Sequence, residues 1–254
     1  MYSSVSPWRG LFGCSSDMPY STMKKRPYGM GRTEKAEAFI PPPCLVFLKG
    51  EAMYKAVVFD FGNVLCGLDR MAFARAASVH SRLSAEEFDR AIWDGSLEHE
   101  HETGVLDSRA YFRRIGEATG LNPGYGFERF VEDYLKIILP NPDGESGLIR
   151  ARELGARTFV LSNTSWLHAR MIFNNEILAS VPELHILSYK VGFMKPDPRI
   201  WKKFLGYSGL DAGDCLYIDD VRAYCDAASS LGFGSFCYNK NEHNLSHIVE
   251  NMLK

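Results

Sequence analysis

The sequence contains no run of 18 apolar residues, so it predicts no helix that spans a bilayer, and we expect no membrane partner. It also has no basic start followed by an apolar stretch and a small-residue cleavage site, which is the pattern of a secretory signal peptide. A protein without either signal is expected in the cytoplasm.

Cysteine is sparse and has no metal-binding pattern. The six cysteines include no C-x-x-C pair and no histidine partner at zinc-finger spacing; they are Cys14, Cys44, Cys66, Cys215, Cys225 and Cys237. This usage predicts reduced and mostly buried thiols rather than disulfides or a zinc site.

An excess of charge of either sign is also missing, since 29 Lys and Arg stand against 31 Asp and Glu. A chain without a strong positive field is not expected to bind nucleic acid. The balance is uneven, however, because residues 1–52 hold seven basic and four acidic side chains, whereas residues 53–254 hold 22 and 27. The segment 53–254 is therefore acidic.

Residues 1–52 are rich in Ser, Pro, Gly and Met and carry little hydrophobic periodicity, which predicts a disordered N-terminal extension. A second hypothesis is that this extension is not normally translated. The codons for Lys49-Gly50-Glu51 can be purine-rich, like a bacterial ribosome-binding site, and Met53 follows at a suitable distance. Both interpretations stay open at this point.

Three short apolar runs of the remaining chain each end at a polar residue. The runs are Ala56–Phe59 before Asp60, Thr158–Leu161 before Ser162, and Cys215–Ile218 before Asp219. Each is followed by a polar turn and a helical pattern, so the class is α/β with a parallel sheet built from βαβ units. Ligands bind outside the carboxyl ends of such strands, and the three polar residues are expected to converge there.

Between the first and second of these strands the pattern is helical. Helices are predicted over 68–80, from the Ser84 capping box toward Trp93, over 107–119 and over 127–139. We call residues 67–143 the helical insertion and expect it to form a lid, with residues 53–66 and 144–254 forming the core.

Four strings resemble, in order and spacing, the motifs of the haloacid dehalogenase (HAD) superfamily: VVFDFGNVL at 57–65, FVLSNTS at 159–165, GFMKPDP at 192–198 and LYIDDV at 216–221. The resemblance implies a Rossmann-like core with an inserted all-helical cap after the first strand. The local strings FDFGNVL, LSNTSWLH and SYKVGFMKP further resemble a helical-cap branch that includes the bacterial α-D-glucose-1-phosphate phosphatase.

The resemblance also implies a role for each motif residue. Asp60 is the expected nucleophile, which forms an aspartyl phosphate, and Lys195 neutralises charge. Ser162 and the backbone amide of Asn163 are expected to bind phosphate. The expected ligands of Mg²⁺ are Asp60, the backbone carbonyl of Gly62, Asp219 and Asp220.

Gly62 departs from the family pattern, because most HAD phosphatases carry there an Asp that acts as general acid and base. Its absence is compatible with a non-catalytic scaffold, a dehalogenase, or a phosphatase whose leaving group needs little protonation, such as a sugar 1-phosphate. The acidic pair Asp219-Asp220 favours a metal and phosphate over the metal-free dehalogenase chemistry.

Other polar and aromatic residues are interpreted as structural. His168 is expected at the surface or as a cap, although it is a candidate for activating water. His99 and His101, with Glu98, Glu100 and Glu102, are expected to form a solvated turn. Asn63 either orients water or satisfies its turn, and core packing is expected for Trp93, Tyr111 and Phe112.

The sequence thus predicts a Mg²⁺-dependent phosphomonoester hydrolase of small metabolites, acting on a sugar phosphate through Asp60. The alternatives are a metal-independent 2-haloacid dehalogenase and a catalytically impaired scaffold that binds a phospholigand or a protein. No oligomeric state is predicted.

Overall fold

The computed structural model describes residues 54–254, and these belong to one compact unit. The predictions made for residues 1–52 and for a start at Met53 concern residues outside this range. No helix among the described residues is long and apolar enough to cross a membrane.

A five-stranded parallel sheet forms the centre of the fold, with the strand order β5-β4-β1-β6-β7. Its strands are β1 Ala56–Phe59, β4 Arg157–Ser162, β5 Leu184–Leu187, β6 Cys215–Asp219 and β7 Gly234–Cys237. All three predicted apolar runs are strands of this sheet, and they are its three adjacent central members. The α/β class is confirmed.

The register of the central strands brings the predicted site residues together. Phe59 of β1 is level with Val160 of β4 on one side and with Ile218 of β6 on the other. The residues that follow these three positions therefore leave the sheet at one edge. Asp60, Ser162 and Asp219 lie side by side there, as the topology predicts.

Twelve helices surround this sheet within residues 54–254. They are α1 Arg70–Ser78, α2 Ala85–Trp93, α3 Leu97–Glu102, α4 Ser108–Thr119, α5 Phe127–Tyr134, α6 Pro142–Glu153, α7 Trp166–Asn174, α8 Glu176–Ser180, α9 Ser188–Val191, α10 Pro198–Ser208, α11 Arg222–Ser230 and α12 Leu245–Leu253. Two apolar layers pack on opposite faces of the sheet, and a separate, aromatic-rich cluster lies among the helices that follow β1.

Helix starts within the helical insertion agree with the sequence signals. Ser84 accepts a hydrogen bond from the Glu87 amide, and the Glu87 carboxylate accepts one from the Ser84 amide, so the capping box is present. Asp107 caps α4, because its side chain accepts a hydrogen bond from the Ala110 amide. These local bonds satisfy amides that a helix start leaves without partners.

The helix predicted over 127–139 is too long. The α-helix ends at Tyr134, a 3-10 turn covers Leu135–Ile137, and Ile138–Leu139 forms strand β3. This strand pairs antiparallel with β2, Gly67–Leu68, so the chain enters and leaves the insertion side by side. Tertiary strand pairing overrides the helical period at these two residues.

The cysteines agree with the prediction for the four that the structure describes. Cys66, Cys215 and Cys225 are buried, Cys237 is partly buried, and all four are free thiols. Cys14 and Cys44 lie outside the described residues.

Candidate active site

Asp60 lies at the carboxyl end of β1 and is 7% exposed. Its backbone amide donates to the Ile218 carbonyl of β6 at 2.9 Å, which fixes the start of the loop against the neighbouring strand. Lys195 Nζ lies 2.7 Å from Asp60 Oδ1. The second oxygen, Oδ2, lies 3.8 Å from the point where a Cβ at Gly62 would be. Asp60 therefore has one oxygen held by a cation and one turned toward Gly62.

Lys195 also pairs with a second buried carboxylate. Its Nζ lies 2.7 Å from Asp219 Oδ2, and both side chains are almost fully enclosed. Asp219 additionally accepts hydrogen bonds from the Val221 amide at Oδ1 (2.9 Å) and from the Tyr217 hydroxyl at Oδ2. A buried carboxylate is tolerated when it is paired and hydrogen-bonded in this way.

The Asn163 side chain holds the segment that carries Lys195. Asn163 Oδ1 accepts from the Lys195 amide at 2.8 Å, and Asn163 Nδ2 donates to the Lys195 carbonyl at 3.0 Å. The loop after β4 is thereby tied to the loop that presents the lysine. The predicted phosphate contact of the Asn163 amide is a different role and stays a prediction.

The pKa values of these groups follow from burial and charge. Burial raises the pKa of Asp60 to about 7, although Lys195 opposes the rise. Burial alone lowers the pKa of Lys195, but Asp60 and Asp219 outweigh it and raise that pKa above its ordinary value. Burial also raises the pKa of Asp220. The lysine is therefore a fixed positive charge between two carboxylates.

Three carboxylates are close enough to share a cation. One oxygen from each of Asp60, Asp219 and Asp220 lies within 4.8 Å of the others. Asn63, whose backbone is left-handed (φ 53°), orients Asp220 by donating to its Oδ2 at 3.0 Å. Clustered carboxylate oxygens are ligands that Mg²⁺ prefers, so these residues fit the ion. We call Asp60, Lys195, Asp219 and Asp220 the core cluster.

Ser162 ends β4 and is 1% exposed; its hydroxyl donates to the Asn163 carbonyl at 3.2 Å. Neither Ser162 nor Thr164 caps the following helix. That position belongs to Ser165, whose hydroxyl accepts from the His168 amide. Ser162 and Thr164 therefore precede the helix and are not its caps.

A cavity of about 190 Å³ lies between the sheet edge and the helical insertion. Its core side is formed by Phe61, Gly62, Asn163, Thr164 and His168, and its insertion side by Leu68, Arg70, Trp93, Glu98, Glu102, Ile137 and Ile138. Leu68 occupies the space beside Gly62, because a Cβ at Gly62 would lie 2.8 Å from Leu68 Cδ1. The missing acid is thus replaced in space by an apolar side chain.

A second group of titratable side chains lines this cavity. One ligand atom from each of Glu98, Glu102 and His168 lies within 4.8 Å of the others. Glu98 accepts hydrogen bonds from the Tyr111 hydroxyl and, at 2.9 Å, from the Tyr134 hydroxyl. We call Glu98, Glu102 and His168 the insertion cluster.

His168 lies inside the protein, so the prediction of a surface histidine is wrong. It is 8% exposed and stacks on Tyr134 with ring centroids 4.3 Å apart. Burial lowers its pKa to about 3, which leaves the ring neutral near pH 7. Its Nε2 has no hydrogen-bond partner among the described residues.

The solvated turn predicted around His99 and His101 is also wrong. These residues belong to helix α3, and His101 is 2% exposed and stacks on Tyr111 at 3.9 Å. The helix is amphipathic at a spacing of four, so Glu98 and Glu102 share the face toward the cavity while His99 is exposed. Tyr111 is a core residue as predicted, whereas Trp93 lines the cavity.

With this geometry described, comparison with known proteins identifies the class. Residues 54–232 match the family model "haloacid dehalogenase-like hydrolase", and the chain belongs to this family of hydrolases. The predicted family is therefore confirmed.

The individual relatives share about a quarter of their aligned residues with this chain. The chain is 24% identical over 208 residues to phosphatase MT3486 of Mycobacterium tuberculosis, covering 78% of this chain and 93% of that protein. It is 24% identical over 195 residues to the D-ribitol-5-phosphate phosphatase of Bacteroides thetaiotaomicron, covering 72% and 91%. A HAD family enzyme of the same organism, crystallised with magnesium and inorganic phosphate, aligns with a TM-score of 0.67 at 23% identity, covering 77% and 98%.

Sequence reasoning did not assign a functional role to Glu98 or Glu102. The available signal was the spacing of four between them on one helix, followed by two helices that carry Tyr111 and Tyr134. The contacts of the Asn163 side chain were also not predicted, because its partner Lys195 lies 32 positions away in the sequence. The contact of Tyr217 with Asp219 was missed although the two residues are two positions apart on one strand and so share a face.

Proposed function

We propose that this chain is a Mg²⁺-dependent phosphomonoester hydrolase that acts on a small phosphorylated metabolite, a sugar phosphate, through a covalent intermediate on Asp60. The observation that carries the proposal is the core cluster, in which a buried cation holds one oxygen of Asp60 and leaves the other oriented toward Gly62. The related phosphatases, and the magnesium and phosphate bound to the structural neighbour, support the same chemistry.

In this mechanism Asp60 Oδ2 attacks phosphorus in line with the leaving oxygen, and the bond from phosphorus to that oxygen breaks. Lys195 orients Asp60 through Oδ1 and neutralises charge beside the phosphate. The Ser162 hydroxyl and the Asn163 amide are the proposed donors to the phosphoryl oxygens. Water then attacks the aspartyl phosphate and releases inorganic phosphate and free Asp60.

Asp60, Asp219, Asp220 and the Gly62 carbonyl are the proposed ligands of Mg²⁺. When bound, this ion neutralises the repulsion between the carboxylates and the phosphate dianion. The core cluster carries three acids against one lysine, so its residues alone repel a phosphate. This charge balance favours a metal-dependent phosphatase over the metal-independent dehalogenase.

The size and lining of the cavity support a small polyhydroxylated substrate. About 190 Å³ is less than a drug-sized ligand requires. Trp93 offers an aromatic face, while the insertion cluster offers hydrogen-bond acceptors for hydroxyl groups. A sugar phosphate presents both kinds of surface, which agrees with the branch that the sequence resembles.

The test is phosphate release from a panel of sugar phosphates, polyol phosphates and nucleotides with Mg²⁺, by the full chain and its Asp60→Asn variant. We expect turnover of one or more sugar phosphates that ceases in excess chelator and in Asp60→Asn. A matched control is Asp197→Asn, which removes a partly exposed carboxylate that caps α10. Chloride release from 2-haloacids in chelator would instead support the dehalogenase.

A further inference from the structure

The cavity beside Gly62 is lined by four titratable side chains that are not part of the core cluster: Arg70, Glu98, Glu102 and His168. Hydrolysis of an ordinary alkyl phosphate requires a group that protonates the leaving oxygen. Gly62 provides none, and Leu68 blocks the adjacent space. A side chain that donates this proton to an alkyl leaving group would therefore belong to another part of the cavity wall.

Two of the four groups are committed to other contacts. Arg70 pairs with Asp89 at 3.1 Å and lies over the Trp93 ring, so its guanidinium group is already engaged. Burial raises the pKa of Glu98, but both of its oxygens already accept hydrogen bonds from tyrosine hydroxyls, which oppose the rise and occupy the carboxylate.

His168 is not a proton donor to the substrate at neutral pH, because its ring is buried and neutral. One ring nitrogen is engaged with the Tyr134 backbone, and Nε2 is left without a partner. A neutral imidazole with one nitrogen donating has an unprotonated second nitrogen, which can accept but cannot donate a proton.

Glu102 differs from these three. Its carboxyl group makes no hydrogen bond or ion pair with any residue of 54–254. Burial is the largest cause, and the charges of Glu98 and Asp60 are further causes, of a pKa raised well above its ordinary value. Glu102 lines the same cavity as Gly62 and Asn163, and the charges of Asp60 and Lys195 both act on its pKa.

The backbone of Glu102 is fixed to the core beside the phosphate-binding loop. Ser188 Oγ donates to the Glu102 carbonyl at 2.6 Å and accepts from the Thr164 amide at 2.8 Å. Two residues further on, Gly104 has a φ of 75°, and a Cβ there would lie 2.4 Å from the Tyr189 carbonyl oxygen. This close backbone approach gives Glu102 a fixed position relative to the loop after β4.

We propose that Glu102 is the general acid and base of this enzyme, supplied by the helical insertion in place of the acid that is missing at position 62. The inference rests on the proposed phosphatase function. As Asp60 Oδ2 bonds to phosphorus and the ester bond breaks, the Glu102 proton passes to the leaving alkoxide and yields the free alcohol. The Glu102 carboxylate then takes a proton from the water that attacks the aspartyl phosphate.

The experiment compares two substrates in wild type and in Glu102→Gln: 4-nitrophenyl phosphate, whose leaving group needs no proton, and an alkyl monoester that the wild type hydrolyses. In single-turnover phosphorylation of Asp60 we expect Glu102→Gln to lose about 10²–10⁴-fold on the alkyl ester and little on the aryl ester. On the aryl ester, multiple turnover should show a burst of 4-nitrophenol followed by a slow phase, because water attack has lost its base.

Glu98→Gln is the matched control, since it makes the same chemical change in the same cluster. It is expected to change both substrates by the same factor. Equal losses on the two substrates in Glu102→Gln, or a leaving-group dependence in Glu98→Gln as large as that in Glu102→Gln, would overturn the inference while leaving the phosphatase function intact. A wild type that releases phosphate from neither substrate would overturn both.

A cation held by the insertion cluster is a further outcome that contradicts the inference. Equilibrium dialysis with Mn²⁺ distinguishes the two. We expect the same number of ions bound per chain in wild type and Glu102→Gln. The loss of one ion in Glu102→Gln would assign the cluster to a metal instead of a proton.

Discussion

The core cluster and the insertion cluster each bring carboxyl groups within 4.8 Å of one another, but their charge environments differ. In the core cluster, Lys195 contacts Asp60 and Asp219 at 2.7 Å each. The insertion cluster contains no cation, and its histidine is neutral. In the first arrangement a buried cation opposes the rise in the pKa of Asp60, whereas in the second burial and neighbouring acids raise the pKa of Glu102 well above its ordinary value.

In the proposed mechanism, this difference allows the chain to lack an acid at position 62 and still protonate a leaving group. Holding clustered carboxylates requires a compensating cation. Donating a proton near pH 7 requires a desolvated carboxyl group without such a cation. Here these two requirements are met by different parts of the chain, the sheet edge and the helical insertion.

The largest effect is expected from removing the cation of the core cluster. Lys195→Met leaves two buried carboxylates without their partner, so the free energy of unfolding should fall by about 3–5 kcal/mol in chelator and recover in part with Mg²⁺. Phosphate release should be abolished. Urea unfolding measures the first effect, and Lys202→Met, on the exposed side of α10, should stay within about 0.5 kcal/mol of wild type.

If ion binding and proton donation are separate, an acid placed at position 62 should replace the proton donor Glu102. In the Glu102→Gln variant, adding Gly62→Asp together with Leu68→Ala should raise the rate of alkyl phosphate hydrolysis by up to about 10²–10⁴-fold. Leu68→Ala is included because a Cβ at position 62 would lie 2.8 Å from Leu68 Cδ1. The comparison is Gly62→Asp with Leu68 retained, which should gain less. A folded triple variant without any gain would mean that proton transfer to the leaving oxygen is not what limits the rate.

A smaller effect is expected for the Asn163 side chain, which links the loop after β4 to the segment that carries Lys195. Asn163→Ala removes both hydrogen bonds to the Lys195 backbone, each contributing about 1 kcal/mol. We expect kcat to fall about 10–30-fold with little change in KM, since Lys195 is displaced rather than removed. Equal kcat values for the variant and wild type would contradict this positioning role.

The last prediction concerns the pH dependence of stability that His168 contributes. Its pKa is lowered by burial to about 3, so below the unfolded-state pKa of about 6.5 the unfolded chain binds a proton that the folded chain does not. The unfolding free energy should therefore decrease by about 1.4 kcal/mol per pH unit from pH 6 toward pH 4. His168→Gln should reduce this slope. The exposed His247→Gln should reproduce the wild-type slope, and a slope unchanged in His168→Gln would contradict the assignment.

The sheet and its edge could be predicted from the sequence because their signals are local. Apolar runs such as Ala56–Phe59 end at polar residues, and parallel topology alone brings Asp60, Ser162 and Asp219 together. The start of α4 at Asp107 is equally local, since a cap depends on neighbouring amides.

Non-local contacts explain what could not be predicted. The helix over 127–139 stops at Tyr134 because Ile138 and Leu139 pair with residues about 70 positions earlier in the chain. Burial of His168 and His101 depends on the aromatic packing of the insertion, which no window of sequence reveals. The insertion cluster was consequently interpreted as solvated charge.

The most direct test of the account is to identify the phosphorylated residue. Enzyme quenched in acid during turnover of a hydrolysed sugar phosphate, and reduced with borohydride, should carry homoserine in place of Asp60 when its peptides are analysed by mass spectrometry. We predict this modification at position 60 in the wild type and its absence in Asp60→Asn. An active wild type that is modified at another residue, or at none in a trapping-competent assay, would contradict the account.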